Sequence, residues 1–189
     1  KENNIKSYLT VNTVIYDSEI DKMKQLVDKA KKSGITAIIA SDISVIKYCR
    51  TVGVEVHAST QLNISNTEAV RFFSDYCDVM VTARELSLEQ VKTITENVRK
   101  ENITGPSGKQ VEIEIFVHGA LCMAVSGKCY LSLHEFNKSA NRGACYQTCR
   151  RAYQVKDKES GYELEVDNEY IMSPKDLKTI DFLDKIIEA

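Results

Sequence analysis

Four cysteines crowd one stretch of the chain: Cys122, Cys129, Cys145 and Cys149, separated by six, fifteen and three residues. They are four of the six cysteines present, gathered within 28 residues of irregular sequence. Thiolates at such spacing suit an iron–sulfur cluster, and suit zinc less well, because ordinary zinc sites favour paired CxxC motifs. Free cysteine is also among the most buried residue types, so four small core residues is the competing reading. The clustering in a loop weighs against it. Cys49 and Cys77 lie on apolar helix faces and read as core.

Beside the thiols stand an acid and a base. Glu114 and His118 are four residues apart on an expected strand, and the two-residue alternation would put them on the same side. With Cys122 close by, they could act as acid–base partners or as a Cys–His nucleophile pair, or simply satisfy one another inside a barrel. Between Ala120 and Lys156 there are six Lys or Arg against the single acid Glu135, whereas the whole chain carries −2. Asn141, Arg142 and Gly143 make a compact turn suited to an anion, with Arg150 and Arg151 as further phosphate ligands. Tyr130, Phe136, Tyr146 and Tyr153 interleave with these charges, a pattern suited to stacking unpaired bases.

The elements that must position these groups alternate. Strands are expected at Tyr8–Val14, Thr36–Ala40, Val54–Ser59, Asp78–Ala83 and Val111–Val117. Helices are expected after Asp17, after Asp42, over Asn66–Tyr76 and over Ser87–Lys100, with Gly34 and Gly53 closing the first two and Gln90 completing a cap with Ser87. Short strands are expected at Glu163–Val166 and Tyr170–Met172, then a helix capped by Ser173 that runs past Leu177, Ile180, Leu183 and Ile186. Alternation of this kind implies β–α–β units and a parallel sheet, here with six core strands. No GxGxxG follows the first strand, so a dinucleotide-binding fold lacks support. The expected architecture is α/β, a partial (truncated) TIM-like (β/α) barrel with a cysteine-rich loop insertion. It forms one domain over 1–189, with βα units over 1–118, the functional loop over 119–162 and a last βα unit over 163–189. On such a barrel the residues after each strand share a catalytic face. That places Asn12, Ser41, Asp42, Ser59, Gln61, Asn63, Arg84, Glu85 and His118 together.

The bulk numbers allow this. Apolar residues make up 43% and charged residues 28% of 189, ordinary for a globular domain with its own core. No apolar run approaches the roughly 18 residues of a spanning helix, so no membrane partner is expected. With no leader recognisable at the start, a cytoplasmic setting is expected, where thiols stay reduced. The first and last residues read as cut points in a longer chain, and exposed edges of an unclosed barrel would favour self-association.

At these residues the chain resembles a known family. Glu114-x-Phe116-x-x-Gly119-Ala120-Leu121-Cys122-x4-Gly127-x-Cys129-x-Leu131-Ser132 is similar to the signature of peptidase family U-32, the collagenase-like peptidases. Asn141-Arg142-Gly143-x-Cys145-x3-Cys149-Arg150 resembles its next block. The segments His57–Gln61 with Asn63, Ala83–Ser87 and Ser173–Leu177 match further blocks in the same order. The resemblance implies a partial TIM-like barrel. It also implies a link to oxygen-independent hydroxylation, of a tRNA wobble uridine with prephenate as co-substrate, on a 4Fe–4S cluster. Carried over by motif, Cys122, Cys129 and Cys145 would be cluster ligands, with the fourth either Cys149 or a residue beyond Ala189.

Two functions follow as expectations. The first is an iron–sulfur-dependent tRNA-modifying enzyme in which Gln61, Asn63, Arg84 and Glu85 line the substrate pocket. Asn141, Arg142, Arg150 and Arg151 would hold phosphates there, and His118 would move protons. The alternative is a collagenase-like peptidase on a polypeptide substrate, using Cys122 with His118. The chain offers no GxSxG, HExxH or papain-type cysteine block to support it.

Overall fold

In a computed structural model, residues 5–165 and 172–189 are described. The chain divides into two compact units: one runs through Phe116 and includes Phe182–Ala189, the other is Val117–Asp181. The expected cysteine-rich segment, 119–162, falls inside the second unit.

The first unit is an α/β layer. Its strands are β1 (Tyr8–Val11), β2 (Ala37–Ala40), β3 (Val56–Ala58), β4 (Val79–Val81) and β5 (Glu112–Glu114), all parallel and in the order β1-β2-β3-β4-β5. Strand order that follows chain order, with crossovers of one hand, carries the connecting helices over one face. These are α1 (Ile20–Ser33), α2 (Ile43–Val52), α3 (Thr67–Ser74) and α4 (Leu88–Lys100), with α1 packed on α2 and α3 on α4. Each helix presents an apolar stripe inward, Met23, Val27 and Ala30 on α1 and Val91, Ile94 and Val98 on α4. Every residue of β3 and β4 is buried. Ile38, Val45, Val56, Val70 and Met80 are at most 1% exposed, each burial contributing about 1.5–3 kcal/mol.

Three of the expected caps form, whereas α1 starts from Glu19, which makes no side-chain cap bond, after a 3-10 turn over Asp17–Glu19. Asp42 accepts from the Ser44 backbone at 2.9 Å, Asn66 from Ala69 at 2.9 Å, and Ser87 and Gln90 complete a reciprocal box. Gly34 and Gly53 close α1 and α2 in the left-handed conformation.

Three expectations fail. Among the described residues five strands build the sheet, where six core strands were expected. The strand expected over Val111–Val117 stops at Glu114, whose carbonyl accepts from Thr82 N at 3.0 Å just past the end of β4. His118 therefore belongs to a separate element, β6 (His118–Gly119), which pairs antiparallel with β9 (Leu177–Lys178). That pairing also overturns the helix expected from Pro174: Leu177 and Lys178 are extended, and Thr179 donates from both N and Oγ1 to the Val117 carbonyl, at 3.2 and 2.8 Å. The helix begins only at α6 (Leu183–Glu188). The apolar spacing from Leu177 to Ile186 is real, but its first member is claimed by a backbone ladder. The strand expected at Glu163–Val166 appears as β8 (Glu163–Glu165), paired antiparallel with an unexpected β7 (Gln154–Lys156). Tyr170–Met172 lies almost wholly outside the described residues. The second unit also holds α5 (Leu131–Phe136).

Candidate functional site

In the first unit four of the polar residues expected after the strands, Asn12, Ser41, Ser59 and Gln61, are joined by hydrogen bonds at the carboxyl end of the sheet. The Ser41 hydroxyl lies 2.8 Å from the Asn12 carbonyl and 3.1 Å from Gln61 Oε1, bridging the ends of β1 and β2 to the turn after β3. Asn12 Nδ2 donates to Ser59 Oγ at 3.4 Å, and Ser59 caps the short helical turn Thr60–Leu62. Asn63 closes that turn with φ 53°, and its Nδ2 donates to the Gln61 carbonyl at 2.9 Å. A carboxamide held through its oxygen presents its nitrogen as an oriented donor, so Gln61 is built to meet an acceptor. Asp42 is committed to structure, accepting from Ile15 N as well as from Ser44. Arg84 is half-buried and Glu85 exposed in the turn after β4, where Ala83 N donates to the Ile64 carbonyl at 2.8 Å. The carboxyl ends of strands in parallel sheets are where ligands bind.

Glu114 and His118, expected to share one strand face, lie in different elements and different units, and both are exposed. The period-two argument joining them no longer applies. No hydrogen bond joins His118 to Cys122 among the described residues.

In the second unit the thiols are all free. Cys122 and Cys145 are exposed, Cys129 and Cys149 half-buried, and all four differ in this from the fully buried Cys49 and Cys77. The Cys149 thiol is pushed up from its ordinary value first by burial and then by the neighbouring Cys122 and Cys145. Among the described residues no group of three or more His, Cys, Asp or Glu side chains closes to metal-binding distance as the side chains stand. The donors match a soft-metal site in kind only, as four unbridged thiols in a basic segment.

The residues expected to hold phosphates are largely engaged within the unit. Asn141 Oδ1 accepts from Cys129 N at 2.9 Å, fixing the backbone of one thiol. Arg150 Nη2 donates to Asp176 Oδ1 at 3.0 Å and to the Leu121 carbonyl at 3.3 Å, and is therefore a strap. Arg151 lies over the Phe136 ring at 4.7 Å, and Phe136 meets Tyr146 at 5.0 Å between centroids. Arg142 is half-buried in the turn Ala140–Arg142 closed by Gly143 at φ 85°. Sequence reasoning missed Asp176 as the partner of Arg150. The signal was present in the Ser173–Leu177 block, whose acid had no other assigned use.

Comparison with known proteins places the chain. Residues 1–189 match the model of Peptidase family U32 over their whole extent. A protein named collagenase from Porphyromonas gingivalis is 62% identical over all of this chain and 46% of its own length. tRNA hydroxylation protein P1 of Bacillus subtilis is 35% identical over all of this chain and 44% of its length. A 23S rRNA 5-hydroxycytidine synthase of Escherichia coli is 34% identical over 97% of this chain and 26% of its length. The chain spans less than half the length of each of these relatives. No solved structure matches it. No helix among the described residues is long and apolar enough to cross a membrane. The motifs from Glu114 to Arg150 and the match along the full 189 residues lead to one assignment: the chain belongs to peptidase family U32.

Proposed function

We propose that this chain is part of an RNA-modifying enzyme that hydroxylates a pyrimidine, with the wobble uridine of a tRNA as substrate and a 4Fe–4S cluster as cofactor. The observation that carries this reading is the set of four unbridged thiols, Cys122, Cys129, Cys145 and Cys149, in one basic segment and none of them fully buried. Relatives at 34–35% identity bearing RNA hydroxylation names support the same class. Cys122, Cys145 and Cys149, with Cys129 on the backbone that Asn141 holds, would be the thiolate ligands. When bound, the cluster would supply electron transfer that side chains cannot.

The protein's own residues divide the remaining work. Gln61, steadied by Ser41, offers a donor at the carboxyl end of the sheet, with Asn63, Arg84 and Glu85 around it. Arg84 is the natural partner there for a carboxylate co-substrate such as prephenate. Arg142 and Arg151 face the RNA backbone, Arg150 holds their segment in place, and exposed His118 exchanges protons with solvent or substrate. The sequential strand order supports reading the sheet as the first part of a (β/α) barrel whose open edges pair with further chain, or with a second copy.

The 62% identical relative named collagenase favours a second reading, a peptidase acting through Cys122 and His118 on a polypeptide. Iron and acid-labile sulfide, measured on full-length protein purified without oxygen, separate the two. Near-stoichiometric iron that is lost in Cys122→Ser supports the cluster. Iron-free protein that cleaves gelatin, with cleavage lost in Cys122→Ser, establishes the peptidase instead.

A further inference from the structure

Tyr146 follows Cys145 directly, is 50% exposed, and does not sit alone. Its ring lies 5.0 Å from Phe136, centroid to centroid and tilted by 33°, and Phe136 in turn carries the Arg151 guanidinium 4.7 Å from its centroid. The backbone beneath is held as well. Tyr146 N donates to Ser132 Oγ at 3.0 Å, and Ser132 is only 2% exposed, on the helix α5 that also bears Phe136. A half-exposed aromatic ring backed by a second ring and a cation, with its main chain pinned to a buried hydroxyl, is a rigid flat surface.

We propose that Tyr146, backed by Phe136 and Arg151, is the platform on which an unpaired nucleobase of the RNA stacks, next to the Cys145 thiol. The proposal rests on the RNA reading above and names the element that would position the base. Three observations select a nucleobase as the occupant. Every base has a π-face that stacks on tyrosine whatever its sequence, and such platforms are worth about 1–3 kcal/mol per base. The surrounding segment carries six Lys or Arg against one acid, the charge a phosphate backbone requires. Arg151 is fixed against the same aromatic pair, so cation and ring are presented together.

The test is binding, read without the cluster and without turnover. Full-length protein is titrated against a fluorescein-labelled anticodon stem-loop with uridine at the wobble position. It is also titrated against the same stem-loop with abasic ribose throughout the loop. Tyr146→Ala is expected to weaken binding of the intact stem-loop about 5- to 150-fold, the stacking value expressed as an affinity ratio. Tyr146→Phe, which keeps the π-face, should stay within about twofold of wild type on the same scale. Wild type should lose a similar factor on the abasic RNA, and Tyr146→Ala should lose nothing more there. Far-ultraviolet circular dichroism and the melting temperature of Tyr146→Phe and Arg151→Lys report whether the segment still folds.

Wild-type affinity that Tyr146→Ala leaves unchanged overturns the platform while the RNA reading stands. So does an equal loss on intact and abasic RNA. A wild type that binds neither RNA overturns both. Binding of gelatin strands that Tyr146→Ala abolishes would reassign the surface to a polypeptide.

Discussion

Arg150 and Asp176, 26 residues apart in sequence, meet at 3.0 Å through Nη2 and Oδ1, and the same nitrogen reaches the Leu121 carbonyl at 3.3 Å. One side chain thus ties together the residue before Cys122, the residue after Cys149 and the Ser173–Leu177 block. The Arg150 side chain is 17% exposed and Asp176 54% exposed, so the pair is partly screened and the carbonyl bond is the better protected half. Arg150→Ala should destabilise the folded protein by about 1–2 kcal/mol, and Asp176→Asn by less. Arg150→Lys should recover only part, since a single ammonium lacks the planar fork. A double-mutant cycle in urea checks this. A coupling energy near zero would reduce the pair to two independent surface groups.

Asn141 acts on Cys129 through the backbone, its Oδ1 accepting from Cys129 N at 2.9 Å. Asn141→Ala removes the acceptor and leaves that amide to water. Exchange of the Cys129 amide with deuterium should accelerate about 5- to 13-fold, the opening equivalent of about 1–1.5 kcal/mol for one hydrogen bond. Asn141→Asp keeps an acceptor and should keep the protection. Equal acceleration in both variants would show that the turn Ala140–Arg142, rather than the carboxamide, protects the amide.

These two contacts mark where sequence legibility stops. The sheet and its four helices were readable because the strands are short apolar runs and three of the helices begin at a residue that accepts from its own first turn, Asp42, Asn66 and Ser87. The polar strand ends were readable for the same reason, since Ser41, Gln61 and Asn63 follow directly from element order. The second unit was legible only as chemistry. Its thiols and basic residues stand out by type, but its elements are two to six residues long and made by long-range pairing. Periodicity carries no information over two residues. It led instead to a helix through Leu177, where antiparallel pairing with His118–Gly119 prevails. Arg150 was visible as a cation, whereas its commitment to Asp176 depends on a fold that no local pattern encodes.

Gly105 is required by space. A Cβ there would lie 2.5 Å from Asp78 Oδ1 and 3.0 Å from both Asp78 Cα and the Cys77 carbonyl oxygen. The carboxylate could swing aside, but it accepts from Ser107 N at 2.9 Å, and the two backbone atoms lie immediately before β4 and cannot move cheaply. Gly105→Ala should therefore cost about 1–3 kcal/mol. Gly108, three residues on, has φ +76° with no atom within 4 Å of its Cβ position. Gly108→Ala should cost about 1–2 kcal/mol from backbone strain alone. Adding Asp78→Ala, which removes the nearest atom, should recover part of the Gly105→Ala loss and none of the Gly108→Ala loss. Urea midpoints of the four proteins decide it, and equal responses of the two glycine variants to Asp78→Ala would remove the steric argument.

Cys49 and Cys77 are fully buried thiols that the folded protein keeps protonated. Burial pushes the Cys49 thiol up to about 11, and burial with the adjacent Asp78 charge pushes Cys77 up to about 12. In the unfolded chain both titrate near the ordinary thiol value of about 8.5. The folded state therefore holds protons that the unfolded state releases. Their contribution to stability is fully present below about pH 8.5 and declines as the pH rises toward the folded values. The urea midpoint should fall progressively between about pH 8.5 and 10.5. Replacing both thiols in Cys49→Ala/Cys77→Ala leaves small cavities that lower stability at neutral pH, yet should flatten that alkaline decline. The same burial predicts that a thiol-reactive aromatic disulfide modifies Cys122 and Cys145 in native protein, and Cys49 and Cys77 only after unfolding. Parallel alkaline declines in wild type and the double variant would assign the loss to other groups, and would show that the buried thiols do not set it.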